Sequence, residues 1–270
     1  MVRLRRRHGA WLVHLAGLFA VMLTVTWFSA RDGGRAALAQ TTTWVYLPFA
    51  ARGPGTPPPA IDEDYATIPI EGSPETRPAG EHPDLNLAIR GYVAVDALRG
   101  LVDYGGATDP HAPQLVGLLG RAPDVRGTFQ VYDWDWGRMV RGAPIASPPV
   151  TLITLAAGRN AIVRVPDSGR TIGDGYQVLV LYGDTERITL KYTREDNVVE
   201  GYTLHLEGVR VAPELLDLYR RADDAGRGRL PALRAGQALG WASGEAVGVA
   251  IRDQGSFLDP RSRKDWWRGY

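Results

Sequence analysis

The chain has 270 residues, 44% of them hydrophobic, enough for a packed core and incompatible with disorder throughout. Its formal charge of +1 conceals an asymmetry: residues 1–39 hold six Arg and one Asp, and the remainder carries 25 basic against 29 acidic residues, or about −4. That remainder lacks the clustered basic face that nucleic acid requires, and the absence of Cys excludes disulfides and thiolate metal sites.

Residues 1–39 read as a signal peptide or signal anchor. A basic start (Arg3, Arg5, Arg6, Arg7) precedes an apolar run over 10–28, and Ala37-Leu38-Ala39 supplies a small-x-small cleavage pattern. If this segment stays uncleaved, residues 10–28 are the only membrane contact expected, with the Arg side in the cytoplasm. Either way the rest of the chain is expected to be secreted or anchored in the cell envelope, extracytoplasmic. Residues 40–86 read as a Pro-rich spacer, with nine of the nineteen prolines lying between Thr41 and Leu85. Within it, Trp44–Phe49 is a large apolar run that either docks as a short strand or meets a partner.

Residues 87–270 read as one β-rich domain. Short β-type runs separated by Gly, Pro and Asp recur at Ile89–Val95, Gly127–Trp134, Val150–Leu155, Ala161–Val165 and Gln177–Tyr182. Val178–Leu181 is apolar on both faces, which places it centrally. In Arg187–Tyr192 the alternation predicts Ile188, Leu190 and Tyr192 facing the core while Arg187, Thr189 and Lys191 meet water. A polar segment at hairpin distance predicts antiparallel pairing with Val198–Leu206. Pro213–Ala225 is the one clear helix, with Pro in the first turn and Leu215, Leu216, Tyr219 and Ala222 at helical spacing. Gln114–Leu119 suggests a shorter one.

Tyr202-Thr203-Leu204-His205-Leu206, Gly236-Gln237-Ala238-Leu239-Gly240, Val247–Arg252 and Asp259-Pro260 occur in that order. This order resembles the second half of lysostaphin-type zinc endopeptidases over roughly residues 161–260, with the helix over 213–225 as an insertion. The resemblance implies a mainly β fold, a β-sandwich of duplicated-hybrid-motif type. It also implies a zinc site of two His and one Asp, but the paired His positions fall near Ala246 and Gly248, which cannot ligate metal. Upstream, Tyr132-Asp133-Trp134-Asp135-Trp136 offers carboxylates and no imidazole. No metal site and no cofactor is therefore expected, and the resemblance leans toward a non-catalytic relative.

Three groups of residues remain as candidates. Asp133 and Asp135 alternate with Trp134 and Trp136, an arrangement that suits stacking on sugar or a pair of carboxylates for glycoside hydrolysis, and equally an ordinary amphipathic strand. His205 lies between two leucines. Asp253, Asp259, Arg261, Arg263, Trp266 and Trp267 crowd the terminus, where Arg can grip a carboxylate and Trp can stack, or where the whole segment caps the fold. The leading expectation is an envelope-associated binding module that contacts peptidoglycan or extracellular polysaccharide. A carboxylate-dependent hydrolase using Asp133 and Asp135 with Glu195, Asp196 or Asp253 is one alternative, and a structural cell-surface protein is another.

Overall fold

The computed structural model describes residues 57–270. Residues 1–39, read from the sequence as a signal peptide or anchor, Trp44–Phe49 and the start of the spacer lie outside the described residues. The N-terminal part runs β1 (Ala66–Pro69), a 3-10 turn (Ala79–Glu81), α1 (Leu87–Arg90), β2 (Tyr92–Ala94), α2 (Val116–Leu119), β3 (Val125–Asp135) and β4 (Val140–Pro144). The middle follows with β5 (Leu152–Ala156), β6 (Ile162–Arg164), β7 (Val178–Gly183), β8 (Arg187–Lys191), β9 (Tyr202–Glu207) and β10 (Val209–Val211). Last come α3 (Pro213–Asp224), β11 (Arg229–Leu233), β12 (Ala238–Ala242), β13 (Ala246–Asp253), β14 (Ser256–Leu258) and α4 (Arg263–Trp266).

The fold is mainly β. Its larger sheet has the order β1-β11-β7-β8-β9-β13-β5-β3-β2, with β14 beside β13 and β4 beside β3, while β10-β12-β6 forms a smaller one. Every pairing between named strands is antiparallel. Val178 to Leu181 on β7 are fully buried, as strands covered on both faces require. β8 and β9 pair antiparallel with Thr189 opposite His205 and Lys191 opposite Thr203. β9 begins only at Tyr202 because Gly201, at φ +56°, turns the chain where a side chain would meet the Thr193 methyl. α3 buries Leu215, Leu216, Tyr219 and Ala222, the stripe its spacing predicts.

Three expectations need correction. Ile89–Val95 is not one strand: Asn86 caps a helical turn by accepting from the Ala88 N–H at 3.2 Å, Gly91 at φ +66° ends the turn, and only Tyr92–Ala94 is extended. The spacer does not run to residue 86. Trp241 Nε1 donates to the Pro59 carbonyl at 2.8 Å, Tyr65 donates to the Ala238 carbonyl at 2.9 Å, and β1 pairs with β11 at the sheet edge, a position that tolerates Pro69. Apolar residues spaced among the prolines, Ile68, Ala79 and Leu85, are buried in the main core and hold this segment down.

The third correction concerns β8. Thr189 and Lys191 were expected to meet water, yet both are buried, Lys191 at 0% exposure. Thr189 is covered by residues 72–86, the segment the proline content marks as unpacked, through the Leu85 carbonyl, whereas Lys191 lies among Glu195, Glu200, Arg252 and Asp253.

Candidate functional site

The charged C-terminal segment is a cap. Trp266 and Trp267 are 2% and 1% exposed, and their indole N–H groups donate to the Asp259 and Pro260 carbonyls at 2.8 and 2.9 Å. Arg261 grips Asp259 in a fork, Nε to Oδ1 at 2.9 Å and Nη2 to Oδ2 at 2.7 Å, and both residues are buried. The same segment fastens the Gly-rich loop over 96–114. Tyr104 donates to Asp259 at 2.7 Å, Arg261 Nη1 to the Leu98 carbonyl at 2.9 Å, Arg263 to Asp103 at 2.7 Å, and Lys264 to the Ala107 carbonyl at 2.7 Å. Asp259, Arg261, Trp266 and Trp267 thus face the interior, and the cap reading accounts for them.

The β3–β4 hairpin carries the second group. Asp135 Oδ1 accepts from the Arg138 N–H at 2.9 Å and so closes the turn. Asp133 accepts from its neighbour's N–H at 2.8 Å and lies 3.5 Å from the Arg90 guanidinium. A register shift in the pairing between Tyr132 and Trp134 interrupts the expected alternation. Trp134 is half-buried, with an indole N–H that finds no partner. Trp136 is 45% exposed, its ring 5.5 Å from His82 and 5.9 Å from the Arg77 guanidinium, with Met139 and Val140 exposed beside it. The acids of the hydrolase reading do not act on one centre: Asp196 is buried in an ion pair with Arg227 at 2.6 Å, and Asp253 sits near Lys191 and Asp109.

The third group is one that sequence reasoning missed. Alternate residues of three neighbouring strands line up in rungs on one face of the larger sheet: Arg187, Glu207 and Gly248; Thr189, His205 and Ala250; Lys191, Thr203 and Arg252. Segment 72–86 lies across this face. Thr189 donates to the Leu85 carbonyl at 2.7 Å, so its hydroxyl proton is used, and His205 Nδ1 at 3.0 Å must carry a proton and donate to it. His205 Nε2 is thereby left as a bare acceptor, buried and without a partner. Lys191 Nζ, Thr203 Oγ1 and Glu195 Oε2 are also buried and unpartnered.

Electrostatics of this face follow from burial. Burial, then the nearby Arg252, pushes the His205 pKa down to about 3, so the ring is neutral. Burial lowers Lys191 to about 8 against the pull of Glu195. Burial raises the Asp84 carboxyl, but the Arg252 and Arg90 guanidiniums outweigh it and hold it below the ordinary carboxylate range. Asp84 accepts from Arg252 Nη1 at 2.7 Å and from Arg90 Nη2 at 2.6 Å. Phe257 stacks beneath, 4.6 Å from the Arg252 guanidinium and 5.7 Å from that of Arg90. Glu207 and Arg187 are 3.2 Å apart but unequal: Arg187 also holds Asp184 at 2.5 Å and stays charged, whereas burial lifts Glu207 to about 7.

Fold and site together define a mainly β domain with a buried charged face beneath a Pro-rich strap and an exposed aromatic hairpin at its margin. Ala246 and Gly248 lie on β13, and a Cβ at Gly248 would come within 3.0 Å of Glu207. Among the described residues no group of three or more His, Asp or Glu is placed to hold a metal ion. No family model, curated protein or solved structure matches the chain.

Proposed function

We propose that the protein is an exported, envelope-associated binding module that contacts cell-wall or extracellular glycan without catalysis. One observation carries this reading: Trp136, the most exposed of the Trp residues in the described chain, forms a platform on the β3–β4 hairpin beside Arg77, Asp133 and Asp135. An open indole face flanked by charged hydrogen-bonding groups is the arrangement on which a sugar ring stacks and is then oriented. The basic-apolar-small pattern over 1–39 supports export. The ordered resemblance of residues 161–260 to lysostaphin-type peptidases, with Ala and Gly at the His positions, supports a sandwich of that type turned from cutting to holding. Co-sedimentation with insoluble peptidoglycan and affinity electrophoresis in soluble polysaccharides test it. Retention should occur on at least one polymer and be lost in Trp136→Ala, while a protein that passes unretarded through all of them is not a glycan-binding module.

A further inference from the structure

The segment over 72–86 differs from everything else that covers the sheet. Ile70 and Glu71 still donate to the Gly228 and Arg194 carbonyls at 3.2 and 2.9 Å, but beyond them the backbone bonds recorded up to Asn86 close only local turns: Glu81 to Pro78, His82 to Ala79, and Leu85 and Asn86 to His82. Pro74, Pro78 and Pro83 remove three N–H donors from the same stretch. Contact with the sheet and its neighbouring loop is made instead through side chains: the Glu75 N–H to Asp196 Oδ2 at 3.0 Å, the Thr189 hydroxyl to the Leu85 carbonyl, and Asp84 to Arg252. Displacing the strap breaks no strand ladder, although it withdraws Ala79 and Leu85 from the main core and parts Arg90 from the Pro83 carbonyl at 3.2 Å.

Beneath and beside it lie polar groups that the folded chain leaves unanswered. Lys191 is a buried ammonium that makes no hydrogen bond through Nζ, with Glu195 as the main opposite charge acting on it, and Thr203 beside it has a buried hydroxyl with no partner. Arg252 completes that rung on β13, within electrostatic reach of Lys191 on one side and Asp84 on the other. A buried cation without a partner is costly, and native structures retain such groups where water, an ion or a ligand answers them. The strap already supplies one answer, because Asp84 is a carboxylate whose Oδ1 accepts from both guanidiniums, Arg90 at 2.6 Å and Arg252 at 2.7 Å.

We propose that the strap over 72–86 is a displaceable cover on a binding site for carboxylate-bearing ligands, formed by Arg90, Arg252, Lys191 and Thr203, with Asp84 as its built-in occupant. The ligand's carboxylate takes the place of Asp84, and its hydroxyl or amide groups reach Thr203, Lys191 and the bare His205 Nε2. An acidic sugar and an acidic peptide share this chemistry. The site adjoins the Trp136 platform, because the strap supplies the His82 and Arg77 that flank Trp136 and Arg90 lies 3.5 Å from Asp133, but its carboxylate recognition uses no residue of the platform itself.

Asp84→Asn keeps the shape of the occupant and removes its charge, which raises the fraction of chains with the site open and tightens apparent affinity by that factor. Calorimetric titration with trigalacturonate, a triglutamate peptide and neutral maltotriose separates the two acidic sources. The expected result is binding of one acidic probe by Asp84→Asn at least about tenfold tighter than by the native chain, and its loss in Asp84→Asn combined with Arg252→Gln. Equal binding by the native chain and Asp84→Asn, or no preference for either acid over maltotriose, overturns the proposal. Hydrogen exchange on the native protein decides the matter if Asp84→Asn does not fold. The acidic probes at their highest soluble concentration should speed exchange of the Glu75 amide, and unchanged or slower exchange under both overturns the proposal.

Discussion

Asp84 and Arg252 stand 168 residues apart in the chain and meet at 2.7 Å, each almost wholly withdrawn from solvent. Their bond joins the Pro-rich strap to the middle of the larger sheet. The pair is asymmetric, because Asp84 also holds Arg90, whereas Arg252 has a second acceptor in the Gly255 carbonyl at 2.9 Å. Removing the carboxylate therefore takes the counter-charge from two buried guanidiniums that keep only carbonyl hydrogen-bond acceptors, and removing Arg252 leaves Asp84 still paired with Arg90. Asp84→Ala should cost about 3–5 kcal/mol and Arg252→Met distinctly less, as read by urea denaturation. Equal costs would mean that Arg90 and Asp84 do not act as a pair.

Acid should destabilise the fold through His205. Its folded pKa of about 3 lies below the ordinary value of 6.5, so the unfolded chain takes up the proton first as pH falls. The contribution is complete above about pH 6.5 and is lost progressively from there toward pH 3. Subtracting the stability of His205→Asn from that of the native chain across pH 7 to about pH 4 isolates this term. A difference that stays flat with pH would show that the ring is not held neutral.

Glu207 should act in the opposite sense. Its folded pKa of about 7 stands above the ordinary 4.5, so between those values the folded chain holds more protons than the unfolded one. Its share of stability is present below about pH 4.5 and declines as pH rises toward 7. Glu207→Gln does not titrate, so its cost relative to the native chain should shrink between pH 5 and pH 8. Paired denaturation curves at those two pH values give the comparison, and a cost that grows with pH contradicts it.

The tryptophans should separate cleanly by role. Trp136→Ala removes a ring that is 45% exposed and should change stability by less than about 1.5 kcal/mol, whereas Trp266→Ala empties a core position that is 2% exposed and should cost about 3–5 kcal/mol. Thermal unfolding of the two variants checks the order. Comparable losses would place Trp136 in the packing and not on a binding surface.

The loop over 96–114 is held by the terminal cap, and Tyr104 is its central fastening through Asp259. Tyr104→Phe keeps the ring and deletes that bond. Limited proteolysis should then cut within the loop earlier than in the native chain, with the sheet left intact. Unchanged cleavage would assign the fastening to Arg261, Arg263 and Lys264 alone.

Most strands were legible because their two-residue alternation or apolar run is local. β3, β5, β6, β7 and β8 fall where Gly127–Trp134, Val150–Leu155, Ala161–Val165, Gln177–Tyr182 and Arg187–Tyr192 predict them, and α3 ends one residue before its predicted limit. What was illegible was which polar faces are wet. Thr189, Lys191, Thr203 and His205 form an ordinary solvent-face pattern, and only the chain path of 72–86, which proline content argues away from packing, reveals that the face is covered. A signal did exist: Ala79 and Leu85 are spaced as anchors among the prolines, and Asp84 is the carboxylate that the buried Arg252 lacks locally. The C-terminal segment misled in the other direction, because Arg beside Asp and a Trp pair look the same in sequence whether they meet a ligand or each other.

The sequence holds only two lysines, Lys191 and Lys264, and no cysteine. Lys264 is tied to Ala107 and Asp265, and Lys191 is buried on the sheet face that the strap crosses, its pKa lowered by burial to about 8. In the closed form, reagents that acylate amines reach Lys264, whose side chain is 24% exposed, and not Lys191, which is 0% exposed. Once that face opens, Lys191 becomes reachable and loses the burial that lowers its pKa to about 8, so its modification reports access to the side chain. The rate at which that one side chain is modified becomes a clock for the opening of the cover, read by mass on the unaltered protein.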